Sequence, residues 1–288
     1  MEPATPDNLN FEDILYFFDS FPKDQNDLAN KKRECIIKNI LNKTLPKKWF
    51  SSPQWFKIAL GLKDFLKPLE VVHGDFVECI QKAGRQFNYD FLFVFKNESV
   101  KIEFKHNVQT ISKYPEILSV ASNTFTKGLS YAEHFYDTYL TALTDLEPPS
   151  KEMYLKNIHK NKVNDPFFIE LKKVTNAKIT VDESIDDFLI NKLDFDYVEF
   201  KSRIKEQFDK VFLLFFNEQF FQEKLDDSEI INELNFKKGR TDFNNTVILK
   251  TTGKAEYHLL LRWKNHAGVL YPAWQVKYLL KKEIESIN

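Results

Sequence analysis

Asp90, Glu103 and Lys105 are the residues of this chain whose types and spacing fit a hydrolytic site. Two carboxylates can supply the hard oxygen ligands that Mg²⁺ takes, and Mg²⁺ is usually held by only one or two protein carboxylates. A metal ion held there lowers the pKa of a bound water and neutralises charge on phosphate oxygens. An ammonium beside the metal orients that water or stabilises developing negative charge. The three residues therefore predict hydrolysis of a phosphodiester with Mg²⁺ or Mn²⁺, and the role of Lys105 stays open between these two.

The segment that must position these residues has the pattern of a β-hairpin. Two runs rich in β-forming residues, 89–95 and 99–105, flank a short polar segment. With Asn97 and Glu98 as a two-residue turn, side-chain alternation puts six apolar residues on one face and the three candidates on the other. A one-residue slip would break up both groups. The predicted pairs are Asp90–Lys105, Phe91–Phe104, Phe93–Ile102 and Phe95–Val100.

The spacing Asp90, twelve residues, then Glu103-Phe104-Lys105 resembles the motif of the PD-(D/E)XK nuclease superfamily, the restriction-endonuclease-like fold. The resemblance covers residues 73–106 well and the C-terminal β-rich region only loosely. Tyr89 stands where the family usually has a proline before the Asp. In this superfamily the Asp and the (D/E)-x-K lie on adjacent strands of a mixed sheet flanked by helices.

The resemblance also implies site residues outside the hairpin. The family often carries an acidic residue on the helix before the first strand, and a helix predicted over 73–87 places Glu78 there. Glu78 is therefore expected to add a catalytic metal ligand to Asp90 and Glu103. Some cap-dependent RNA nucleases of the superfamily carry an upstream metal-binding histidine, which makes His73 worth naming, although a plain helix-start histidine is the simpler explanation.

Composition excludes several other ways of handling phosphate. Only 7 glycines occur in 288 residues, and neither a P-loop nor a G-x-G-x-x-G motif is present.

Two cysteines without a C-x-x-C pattern favour a reducing compartment, and no apolar run is long enough to span a membrane. We therefore expect an intracellular protein of the cytoplasm or nucleus. The segments 261–265 and 271–275 resemble tails of viral or mobile-element nucleases, which suggests such an origin.

The coarse pattern predicts an α/β protein with a restriction-endonuclease-like mixed β-sheet flanked by helices. Residues 1–70 read as a helical N-terminal extension, and residues 71–288 as a nuclease core with a helical insertion at about 147–208. The nearly continuous phenylalanines after Val211 favour a second hairpin that turns at Asn217-Glu218. Further strands are expected at the residues 247–250, 257–264 and 269–278.

A strongly basic net charge is the simplest sequence indication of a nucleic-acid partner, and this chain has a formal net charge of −1. Any basic surface that binds nucleic acid must therefore be local. Candidate phosphate and base contacts are the basic and aromatic residues Lys238, Arg240, Arg262, Trp263 and Lys264, which an ordinary turn and strand explain equally. The predicted function is a metal-dependent endonuclease of DNA, with duplex favoured. An RNA endonuclease on the same fold and an inactive nucleic-acid-binding or assembly protein stay open, as does a homodimer.

Overall fold

Helices precede the first of two larger β-sheets in the chain. The structure is a computed structural model, and it describes residues 26–47, 53–82, 87–114, 116–119, 126–127, 133, 136–137, 148–157, 194–195, 197–225, 230–237, 246–251, 255–266 and 269–280. The helices are α1 (Asn26–Leu41), α2 (Pro53–His73), α3 (Lys151–Asn157) and α4 (Tyr197–Phe208), with a 3₁₀ turn at Ile111–Lys113. The strands are β1 (Phe76–Gln81), β2 (Phe91–Phe95), β3 (Ser99–His106), β4 (Glu116–Ser119), β5 (Thr126–Lys127), β6 (Asp194–Phe195), β7 (Val211–Phe216), β8 (Gln219–Lys224), β9 (Ile230–Lys237), β10 (Thr246–Thr251), β11 (Ala255–His266) and β12 (Val269–Leu280).

The contacts divide the chain into two compact units. Unit 1 comprises residues 1–113 and 208–226, and unit 2 comprises residues 114–207 and 227–288. The predicted N-terminal extension, residues 1–70, thus groups with the first sheet in unit 1. Residues 147–207 of the predicted insertion fall within unit 2.

Unit 1 is an α/β arrangement built on a mixed five-stranded sheet. Its strand order is β1-β2-β3-β7-β8, in which β3 and β7 run parallel and the other neighbours run antiparallel. Helix α1 packs against β1, and α2 packs against β8. A Cβ at Gly61 of α2 would lie 2.7 Å from the Phe220 ring of β8. The glycine therefore allows this close approach of helix and sheet.

The core of unit 1 lies between the helices and one face of the sheet. Phe91 and Phe93 of β2 and Ile102 of β3 have no exposed surface, and Trp55 and Leu62 of α2 are equally buried. The buried side chains of α2 recur at helical spacing, which gives the helix its apolar face. Each such side chain contributes about 1.5–3 kcal/mol through burial. The core thus fixes which sheet face is left for polar residues.

Unit 2 contains a second sheet with the order β4-β12-β11-β10-β9, all of whose neighbours are antiparallel. Its longest pairing joins β11 and β12 from Ala255–Leu280 to His266–Val269. Tyr257, Leu259 and Val276 are buried on this sheet. The strands predicted at the residues 247–250, 257–264 and 269–278 are confirmed.

Two predictions about local structure have opposite outcomes. The second hairpin is confirmed, because β7 and β8 are joined at Asn217 and Glu218, whose φ angles are 47° and 61°. Positive φ at both positions is the conformation of a type I′ turn. The helix predicted over 73–87 is wrong, since α2 ends at His73 and β1 follows. Gly74 ends α2 with φ 85°, and the next residues gain more by pairing with β2 than by continuing a helix.

Several predictions lie outside the described residues. They include residues 1–25 of the predicted helical extension and residues 158–193 of the predicted helical insertion. Among the residues that are described, no helix has the length and apolar character needed to cross a membrane.

Candidate active site

The β2–β3 hairpin pairs two residues away from the predicted register. Phe91 lies opposite Ile102. Because the displacement is an even number of residues, every side chain keeps the sheet face that alternation predicts. Asp90 therefore shares a face with Glu103 and Lys105 as predicted. The predicted pairing of Asp90 with Lys105 is wrong, because the Asp90 N–H bonds to the Ile102 carbonyl oxygen. The charges of Glu103 and Lys105 both act on the Asp90 carboxyl group.

The turn accounts for the changed register. The Phe95 N–H donates to the Glu98 carbonyl oxygen at 2.9 Å, so the chain reverses at Lys96 and Asn97. The Asn97 N–H also donates to the carbonyl oxygen of His73, at the end of α2, over 3.2 Å. The predicted turn at Asn97 and Glu98 was wrong because this contact with α2 is invisible from the hairpin alone.

Asp90 is held against β3 by two backbone contacts. Its N–H donates to the Ile102 carbonyl oxygen at 3.0 Å. Its side-chain Oδ2 accepts the N–H of Phe104 at 2.9 Å. Because Phe91 already lies opposite Ile102, Asp90 is attached at the irregular end of the β2–β3 pairing. The carboxyl group of Asp90 is thereby oriented by the same strand that carries Glu103.

Glu103 lies in β3 with an ammonium on each carboxylate oxygen. Lys105 Nζ donates to Oε1 at 2.7 Å, and Lys210 Nζ to Oε2 at 3.3 Å. The side chains of Glu103 and Lys105 are each 12% exposed, whereas that of Lys210 is 1% exposed. Lys210 was missed from the sequence because it is 107 residues from Glu103, and only the parallel pairing of β3 with β7 brings it there.

The pKa of the Asp90 carboxyl is raised to about 8. Burial is the largest cause, followed by the negative charges of Glu103 and Glu34. The ammonium of Lys105 and the N–H of Phe104 act in the opposite direction and lower this pKa. A carboxyl group perturbed by burial and by neighbouring acids is typical of functional sites. It indicates that negative charge converges on Asp90.

Glu34 of α1 is an acidic neighbour that the sequence analysis did not identify. Its Oε2 accepts a hydrogen bond from Gln81 Nε2 of β1 at 3.1 Å, and Gln81 lies opposite Phe91. Glu34 is thus a helix acid whose charge acts on Asp90. No local sequence signal could identify it, because α2 lies between α1 and β1 in the chain.

Glu78 and His73 are not brought to Asp90. Glu78 is exposed on β1 opposite Val94, four residues along β2 from Asp90, or about 13 Å at strand spacing. His73 ends α2, and its Nδ1 contacts the Glu98 carboxylate at the turn of the hairpin. Both residues therefore lie towards the turn of the hairpin, away from the carboxylate pair.

The candidate nucleic-acid contacts belong to unit 2. Arg262, Trp263 and Lys264 lie in β11, opposite residues 271–273 of β12. Lys238 and Arg240 lie outside the described residues. The predicted contacts of these five residues with phosphates or bases stay a prediction.

The donor set of the site fits a divalent cation with few protein ligands. In the described part of the chain, no group of three or more His, Cys, Asp or Glu side chains is arranged to hold a metal. Asp90 and Glu103 fit the pattern of Mg²⁺, which takes one or two carboxylates and fills its shell with water and phosphate oxygens. Each carboxylate oxygen has two lone pairs, so the bonds from lysines and Phe104 leave acceptor capacity. Burial and the charges of Glu103 and Glu34 raise the pKa of Asp90, and a cation at this position would favour the ionised carboxylate.

Comparisons with known proteins give no relative. No family model matches the chain, and neither the curated proteins nor the solved structures contain a match.

Proposed function

We propose that this chain is a metal-dependent endonuclease of the PD-(D/E)XK type, with unit 1 as its restriction-endonuclease-like core. Its proposed substrate is DNA, with duplex favoured. The observation that carries this proposal is the proximity of the Asp90 carboxyl, directly before β2, to Glu103 of β3, with the Lys105 ammonium on Glu103. This is the arrangement that the motif implies, reached through a register different from the one predicted.

Each residue has a role in the proposed reaction. Asp90 and Glu103 hold the Mg²⁺ or Mn²⁺ ion, and Glu34 adds negative charge next to Asp90. When bound, the cation activates water and neutralises charge on the phosphate. Lys105 stabilises the negative charge that develops on the phosphate oxygens. Glu78, which the sequence analysis placed among the ligands, has no part in this proposal because it lies too far along the sheet.

The proposed step is a hydrolysis that needs no reactant besides water. The water oxygen forms a bond to phosphorus while the bond from phosphorus to the leaving sugar oxygen breaks. The water gives up its proton to solvent, and the leaving oxygen takes one up. By resemblance to the superfamily, the phosphate is left on the 5′ end.

The test is a nicking assay on plasmid DNA with and without a chelator. We expect cleavage to require Mg²⁺ or Mn²⁺, and Asp90→Asn, Glu103→Gln and Lys105→Met each to reduce it by at least about 100-fold. The matched control is Lys101→Met. Lys101 also lies in β3, but its Nζ pairs with Asp209 at the surface, 3.3 Å away. This variant should cleave like the wild type.

Parallel reactions on duplex DNA, single-stranded DNA and RNA identify the substrate. Cleavage of RNA alone would replace the proposed substrate with RNA on the same fold. Nucleic-acid binding without cleavage under any metal would favour the non-catalytic alternative. Cleavage that persists in chelator or in the Asp90→Asn variant would contradict the proposed function.

A further inference from the structure

Lys210 is a buried lysine at the carboxylate pair that the acid-x-Lys motif does not include. It directly precedes β7, and its side chain is 1% exposed. Its Nζ donates to Glu103 Oε2 at 3.3 Å and also to the carbonyl oxygen of Asn88. Asn88 stands two residues before Asp90. One ammonium group therefore contacts the second carboxylate directly and the chain segment that leads to the first.

We infer that Lys210 is a positioning residue, which keeps Glu103 and the segment before Asp90 in fixed relation. This inference rests on the proposed nuclease function. The geometry is restrictive because the ammonium joins three separate parts of unit 1: the segment before β2, strand β3 and the start of β7. The Phe212 ring, whose centroid lies 5.4 Å from Nζ, adds a third contact to those with Asn88 and Glu103.

The two lysines on Glu103 have different access to a substrate. Lys105 Nζ lies 2.7 Å from Glu103 Oε1, and the side chain of Lys105 is 12% exposed. Lys210 contacts the other oxygen of Glu103, and its side chain is only 1% exposed. Only Lys105 can therefore approach a phosphate without rearrangement of the sheet. Lys210 acts on the reaction through Glu103 and the Asn88 carbonyl.

Removal of the Lys210 ammonium should release Glu103 from its present orientation. Loss of one partner from a buried ion pair leaves the other charge without compensation, and side chains move to regain solvent or another partner. Glu103 would retain Lys105 on Oε1, so its carboxylate would turn about that single contact. A ligand in the wrong orientation weakens metal binding before it impairs the chemical step.

The experiment measures cleavage of the substrate found in the nicking assay as a function of Mg²⁺ concentration. Lys210→Met should need roughly 10- to 100-fold more Mg²⁺ for half-maximal rate and recover most of its rate at saturation. Lys105→Met should stay slow at every Mg²⁺ concentration. Lys210→Arg, which keeps the positive charge, should lie closer to the wild type than Lys210→Met. Lys101→Met should match the wild type throughout.

The outcomes separate this inference from the function on which it rests. A wild-type protein without metal-dependent cleavage contradicts the proposed function and the inference together. A cleaving wild type whose Mg²⁺ dependence is unchanged by Lys210→Met contradicts the inference alone. A Lys210→Met protein that stays slow at saturating Mg²⁺, as Lys105→Met does, contradicts a role in positioning.

A double-mutant cycle in melting temperature covers the case in which Lys210→Met is too unstable to assay. In chelator, Lys210→Met should lower the melting temperature by an amount on the order of 5 °C, because it leaves the Glu103 charge buried. Adding Glu103→Gln should restore part of this loss, since the uncompensated charge is then gone. Losses that simply add would show that the two residues are not coupled and would overturn the inference.

Discussion

The two carboxyl groups of the site have different surroundings although they belong to adjacent strands. Glu103 receives one ammonium on each oxygen, from Lys105 and Lys210. Asp90 receives the backbone N–H of Phe104, and burial together with the charges of Glu103 and Glu34 raises its pKa to about 8. Asp90 therefore retains its proton to a higher pH than an exposed carboxyl group would, and a bound cation would favour its ionised form.

The raised pKa of Asp90 predicts a pH dependence of stability in the metal-free protein. Between about pH 4 and about pH 8 the unfolded chain has released this proton while the folded protein retains it. The unfolded state then binds fewer protons, so the free energy of unfolding falls as the pH rises, by at most about 1.4 kcal/mol per pH unit. Urea denaturation in chelator at about pH 5 and about pH 7.5 measures this slope. Asp90→Asn should flatten it, and an equal slope in both proteins would contradict the prediction.

Among the described helices, α1 has the most direct link to the site because it carries Glu34. The helix is joined to the edge strand β1 through the side chain of Asn42, just after its last residue. Asn42 Nδ2 donates to the Cys79 carbonyl oxygen at 2.9 Å, and Asn42 Oδ1 accepts the Cys79 N–H at 2.8 Å. The amide thus pairs with the outer edge of β1 as another strand would. This contact sets the position of α1 along β1, and with it the position of Glu34.

Asn42→Ala should therefore weaken unit 1 through the edge of its sheet. Loss of both bonds leaves the Cys79 N–H and carbonyl without these partners, at a cost of about 1–3 kcal/mol in the free energy of unfolding. The measurement is urea denaturation. Asn42→Asp is the matched variant, because it keeps an acceptor for the N–H but lacks the donor for the carbonyl. Wild-type stability in both variants would show that the paired amide does not hold α1 on β1.

The whole molecule is nearly neutral, with 41 basic and 42 acidic residues and a formal net charge of −1. Such a chain attracts nucleic acid only through local charge or through bound cations. The candidate active site combines the acids Asp90, Glu103 and Glu34 with Lys105 and Lys210. Without a divalent cation this site has little attraction for a phosphate.

This balance predicts that DNA binding depends on a divalent cation even when no cleavage occurs. In chelator the wild type should bind DNA weakly, and Ca²⁺ should strengthen binding several-fold at constant ionic strength. Glu103→Gln should bind better than the wild type in chelator, because one negative charge facing the phosphate has been removed. Fluorescence anisotropy with a labelled duplex measures both effects. Equal affinities with and without Ca²⁺, in both proteins, would contradict the prediction.

Alternation along strands allowed part of the site to be predicted from local sequence. Side chains two residues apart share a face, so Asp90, Glu103 and Lys105 had to lie together opposite the buried phenylalanines in any register of the same parity. The turn at Asn217-Glu218 was also local, since a two-residue connection between two strands has few conformations. The sequence by itself thus determined the hairpins and the polar face on which the site is built.

Tertiary contacts decided everything that depends on distant segments. The end of α2 moved the first turn to Lys96 and Asn97, and pairing with β2 made residues 76–81 a strand despite their helical spacing. Glu34 and Lys210 reached the site from α1 and from the start of β7, the latter across 107 residues. Periodicity describes which way a side chain faces within its own element. Which elements meet depends on how their apolar faces pack together, and that packing supplied the third acid and the second lysine.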